Sequence, residues 1–118
     1  MITYEAGRKT DLQAVSYLQV NSCGYEEIRD FAYAVIRSNG RNDYHLLYVQ
    51  NGAMELEMAG EMKVLCPGEC AFYKRGDKQH YIVPEQKDSL IYWIHFTGTA
   101  VEEVLESLGL SESGIIRV

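Results

Sequence analysis

No stretch of this 118-residue chain approaches the roughly 18 consecutive apolar residues that a membrane-spanning helix requires. No secretory signal is read at its start, so a cytoplasmic location is expected. Positive charge is also short: 11 Lys and Arg face 17 Asp and Glu, for a net charge of −6 and a pI near 5.0. An acidic chain repels phosphate, which argues against direct DNA or RNA binding by these residues. Cysteine is limited to Cys23, Cys66 and Cys70. An odd count at irregular spacing fits a reducing compartment better than a disulfide framework. Cys66 and Cys70 flank a turn at the wrong spacing for a zinc knuckle, so buried structural thiols are expected. Phenylalanine is scarce, with 3 against 9 tyrosines, which points to half-polar aromatic surfaces. No low-complexity stretch, repeat or linker interrupts the chain. The remaining composition, 47% hydrophobic and 24% charged, is that of one globular domain over 1–118.

What is present is a succession of short strands. Turn signals recur at Asn39-Gly40, Asn51-Gly52, Ala59-Gly60, Pro67-Gly68 and Gly76-Asp77, near the roughly 8–12-residue rhythm of a sandwich or barrel. Between them run Phe31–Arg37, Tyr44–Gln50, Ala53–Met58, Glu61–Leu65, Glu69–Tyr73, His80–Val83 and Leu90–Phe96. Ala14–Val20 is expected as an edge strand. Asn51-Gly52 is the strongest hairpin signal, because a type I′ turn needs positive φ at both central residues. In Ala53–Met58 the apolar Met54, Leu56 and Met58 alternate with Glu55 and Glu57, giving one buried and one wet face. Leu90–Phe96 is apolar on both faces and should be central. One helix is expected, Thr99–Leu108, with Thr99 and Glu102 as a capping box and Gly109 as its stop. Ser111–Val118 carries no terminator and reads as a chain cut short.

Catalytic signatures are weak. No nucleophile elbow, Cys–His pair or glycine-rich phosphate loop is present. His45, His80 and His95 lie on separate expected strands, and Leu47 occupies the position where His45 would need a second ligand on its face. No metal and no cofactor is therefore expected. Glu55/Glu57, Glu102/Glu103 and the basic loop Lys74–Lys78 read as solvated surface. A binding set remains. Trp93, with Ile91 and His95 on its own face, offers a flat apolar plate for a sugar or another flat ligand. Arg37 ends an apolar strand with a planar fork of donors, and Tyr81 beside His80 adds a phenol.

These residues also occur in a familiar order. Arg37 through Gly52, Pro67-Gly68-Glu69, His80-Tyr81 and Tyr92 through Gly98, with Cys23-Gly24-Tyr25-Glu26 upstream, resemble the N-terminal effector-binding domain of AraC-family transcription regulators. The likeness extends from about residue 13 to about residue 110. It implies an all-β fold, a cupin-type double-stranded β-helix or jelly-roll barrel with one C-terminal helix. It further implies a small-molecule effector, plausibly a sugar, inside the barrel. Homodimerisation and DNA binding would involve helices and a helix-turn-helix domain that these residues do not include. Arg37, Tyr81 and Trp93 fall where sugar-responsive members hold their ligand, and His80 and His95 join them as candidate ligand-binding residues. Ile91 stands where the arabinose-responsive member carries a histidine, a departure that points away from arabinose. The rival class is a stand-alone cupin enzyme, a metal-dependent sugar isomerase or oxygenase, which stoichiometric bound metal would reveal. A third alternative, a barrel that only dimerises, would have its interior filled with side chains.

Overall fold

A computed structural model describes residues 2–6, 18–29, 32–84 and 88–117. Ten strands and one helix follow in the order β1 (Ile2–Ala6), β2 (Gln19–Ile28), β3 (Tyr33–Arg37), β4 (Tyr44–Asn51), β5 (Met54–Met58), β6 (Glu61–Leu65), β7 (Glu69–Tyr73), β8 (Gln79–Val83), β9 (Ser89–Thr97), α1 (Val101–Ser107) and β10 (Gly114–Arg117). The strands form a six-stranded sheet, β1-β2-β9-β4-β7-β10, and a four-stranded sheet, β3-β8-β5-β6. Every pairing is antiparallel. From β3 to β9 the chain passes repeatedly from one sheet to the other, as a cupin-type jelly roll requires.

Alternation drives this arrangement. Met54, Leu56 and Met58 on β5 are buried while Glu55 and Glu57 sit on the outer face. On β4, His45, Leu47 and Val49 point inward, and on β9 so do Ser89, Ile91, Trp93, His95 and Thr97. The two inner faces close on a core that includes Ile28, Leu47, Val49, Leu56, Leu65, Tyr73 and Val83. A second cluster lies outside the six-stranded sheet, where Val101 and Leu105 of α1 pack against Tyr44, Phe72 and Phe96.

Several local expectations are corrected. Asn51-Gly52 joins no hairpin: β4 and β5 belong to different sheets, and of that pair only Gly52 has positive φ (81°). The two-residue hairpin is Ala59-Gly60 between β5 and β6, where both φ values are positive (52° and 80°), as type I′ demands. The chain from Gln19 is no edge strand, because β2 runs to Ile28 and pairs with β1 and β9; residues 14–17 of the expected strand lie outside the described residues. Phe31 also lies outside them. Thr99 does not cap α1. The cap is Ala100, without a side-chain hydrogen bond, and the Glu102 carboxylate instead accepts the Tyr44 hydroxyl at 3.1 Å. Residues 114–117 form β10 on β7. Cys66 is exposed where the Pro67-Gly68 turn begins, and Cys23 and Cys70 are half-buried, so the thiols are not core groups.

One glycine shapes the end of the barrel that matters below. Gly40 has a φ of 68°, and a Cβ there would stand 2.2 Å from the Asp77 carbonyl oxygen. The loop after β3 and the loop after β7 therefore lie against each other, and the Gly76 amide bonds to the Arg41 carbonyl at 3.0 Å. This contact holds the segment that carries Arg37, Arg41 and Asp43.

Candidate ligand-binding lumen

Between the two inner faces lies an open lumen of about 420 Å³, within the range usual for small-molecule sites. The barrel is therefore not filled solid. Trp93, Arg37, Tyr81 and His95 all line it. His80 does not. Strand alternation turns it to the outer face of β8, where its ring lies 3.6 Å from Glu57.

Register explains how the lining is assembled. Trp93 on β9 faces Leu47 on β4 and Gly24 on β2, and no side chain at Gly24 competes with the indole. One residue pair further along, His95 faces His45 across β4 and Ser22 across β2. The two imidazoles meet edge-on at 4.3 Å between centroids, and the indole lies 4.9 Å from His95. From the opposite sheet, Arg37 and Gln79 are paired at adjoining strand ends. Arg37 Nη1 donates to Gln79 Oε1 at 3.0 Å and to the Tyr81 hydroxyl at 3.2 Å. Gln79 Oε1 also meets His45 Nδ1 at 3.0 Å, so one amide orients both residues. At the rim Arg41 grips Asp43 with two bonds, Nε–Oδ1 at 2.6 Å and Nη2–Oδ2 at 3.1 Å. Asn21 ties that carboxylate to Thr97.

Burial sets the ionisation of the lining. Desolvation, with the neighbouring His95, pushes His45 well below the usual histidine range. Desolvation, with Arg41 next, brings His95 down to about 4. Both rings are neutral at pH 7, consistent with the short contact between Ser22 Oγ and His95 Nδ1 (2.7 Å). Burial raises Glu26, and Arg37 only partly offsets it. Burial likewise raises the Tyr81 phenol. Among the described residues no group of three His, Cys, Asp or Glu side chains is placed to hold a metal ion.

A histidine whose folded pKa is depressed contributes stability that is complete above its unfolded value near 6.5 and is lost as pH falls toward the folded value. Unfolding free energy should therefore decline between about pH 6.5 and 4. His95→Gln should flatten that part of the urea-denaturation profile, and an unchanged slope would contradict the assignment.

Reading the residues singly did not find Glu26, Asn21, Ser22, Arg41 or Asp43. Glu26 lies on β2, where no hydrophobic alternation marks the inward face in the sequence. Arg41 and Asp43 lie in a loop and carried no periodic signal.

A jelly-roll barrel with a polar-walled lumen and an aromatic plate inside defines a cupin-type ligand-binding domain. Residues 21–118 match the family model of the AraC-like ligand binding domain, and the chain belongs to that family. Solved structures agree on the fold. The AraC-like transcriptional activator CuxR is 12% identical with a TM-score of 0.64, over 87% of this chain and 37% of its own. The plu4264 protein from Photorhabdus luminescens is 15% identical with a TM-score of 0.57, over 91% and 83%. The protein YhaK from Escherichia coli is 14% identical with a TM-score of 0.58, over 82% and 44%. The chain thus spans less than two thirds of the length of CuxR and of YhaK. No curated protein sequence matches. Membership in this family supports a regulatory sensing role. No helix among the described residues is long and apolar enough to cross a membrane.

Proposed function

We propose that this chain is the effector-sensing domain of a bacterial AraC-type transcription regulator, acting in the cytoplasm as part of a homodimer. It binds a carbohydrate in the barrel and passes that event to a DNA-binding domain outside this sequence. The observation that carries the reading is the convergence of Trp93, Arg37 and Tyr81 from three strands on one lumen. The indole supplies a plate for the C–H face of a sugar ring, while guanidinium and phenol hold its oxygens.

A route outward supports the second half of the proposal. Tyr44 lies between Asp43 and His45, both of which line the lumen, but its own side chain points to the opposite face of the sheet. There it stacks on Phe72 and Phe96 and donates to Glu102 in the first turn of α1. A shift of β4 on ligand binding would move Tyr44 and α1 together. Such coupling requires that the ligand bind one of the two arrangements more tightly.

Titrating sugars and sugar acids while following Trp93, the single tryptophan, tests the site. A saturable change in its emission is expected, and silence across the panel would overturn the reading. At net −6 the fragment itself should show no measurable affinity for duplex DNA at physiological salt. Salt-sensitive retardation in a gel shift would count against the division of labour proposed here.

A further inference from the structure

We infer that the lumen is built for a polyhydroxy carboxylate, a sugar acid, with its carboxylate on Arg37 and its hydroxyls on the groups around Glu26. This rests on the reading of the lumen as the effector site and narrows the class of effector.

The first argument is charge. Arg41 and Asp43 neutralise each other in a two-bond pair. His45 and His95 are neutral. Among the described residues Arg37 is then the lumen's cation without a carboxylate in contact: its hydrogen-bond partners, Gln79 and Tyr81, are both uncharged, and Glu26 feels its charge only through space. None of the ion pairs among the described residues involves it. A half-buried guanidinium without a carboxylate is costly, and its planar fork matches the two oxygens of a carboxylate. Gln79 and Tyr81 occupy Nη1 alone, so donors on Nη2 and Nε remain for an incoming anion.

The second argument is the set of unpartnered polar atoms. Trp93 Nε1 and His95 Nε2 are buried without a hydrogen-bond partner, and both residues line the lumen. An indole N–H can only donate. Such groups are normally satisfied: an acceptor oxygen meets the indole, and a hydroxyl meets His95 Nε2 in either tautomer. A neutral apolar ligand would leave both orphaned.

Glu26 also lines the lumen, where burial raises its pKa and Arg37 partly offsets that. A hydroxyl can serve this carboxyl in either protonation state, as donor or as acceptor. The indole plate of Trp93, which suits the C–H face of a sugar ring, favours a polyhydroxy acid over a small amino acid.

The experiment pairs each aldohexose with the uronate that carries a carboxylate in place of its primary alcohol, glucose with glucuronate and galactose with galacturonate, alongside acetate and serine. Titration calorimetry and Trp93 emission are read at constant ionic strength. At least one uronate should bind about 10- to 100-fold more tightly than its parent sugar, the equivalent of one charge-assisted contact. Arg37→Gln should erase that preference and Arg37→Lys should retain part of it, with circular dichroism confirming the fold of each. Parent sugars binding as tightly as their acids would overturn the carboxylate while leaving the effector lumen standing. Serine or acetate binding better than the uronates would overturn the polyhydroxy acid in the same way. Silence from every probe would overturn this inference together with the carbohydrate reading.

Discussion

Phe72→Ala should lower the free energy of unfolding by about 3–5 kcal/mol, the usual cost of truncating a buried phenylalanine. Phe72 is 1% exposed, and its side chain packs on the outer face of the six-stranded sheet. It stacks on Tyr44 at 6.0 Å and belongs to the cluster that holds Val101 and Leu105 of α1. The helix is seven residues long with no side-chain cap, so it has little stability of its own and relies on that cluster. Loss on this scale is a large fraction of the stability of a small domain. Urea denaturation followed by circular dichroism measures it, and a change below about 1 kcal/mol would mean that the cluster collapses around the gap. Because Phe72 faces away from the lumen, the folded fraction of the variant should still bind ligand. If binding is retained while regulation by the intact protein is lost, the cluster is part of the signal path.

Trp93→Ala should weaken effector binding by about 1–3 kcal/mol, in the range of removing a well-packed aromatic anchor. The indole is 9% exposed, sits beside His95 and carries an unpartnered buried N–H. Alanine removes both the stacking plate and that donor. Trp93→Phe separates the two, since it keeps a ring and loses the N–H, and should fall between wild type and alanine. As the variants lack the fluorophore, calorimetry is the suitable measurement. Undiminished affinity in Trp93→Ala would place the ligand elsewhere.

The sequence by itself was enough to read the strand succession from Tyr33 to Thr97 and the helix that follows it, because the strands alternate or are flanked by glycine turns. Met54, Leu56 and Met58 against Glu55 and Glu57 state the inward face of β5 without any partner strand. The same logic placed Ile91, Trp93 and His95 on one face of β9. Three kinds of feature required the tertiary structure. The first was β2, whose Asn21, Gly24 and Glu26 are poor strand formers and which is held by hydrogen bonds to β1 and β9. The second was connectivity: Asn51-Gly52 and Ala59-Gly60 both look like turns, but the identity of the facing sheet determines which one closes a hairpin. The third was the lumen's electrostatics. Local sequence shows Arg37 and Arg41 as two similar arginines four residues apart. Folding gives Arg41 a carboxylate partner in Asp43 and gives Arg37 only the neutral Gln79 and Tyr81. Side-chain direction follows from a two-residue period and is local, as is the pairing of Arg41 with Asp43 two residues on. The partners of Arg37 come from another strand, and only the closed barrel decides that they are neutral.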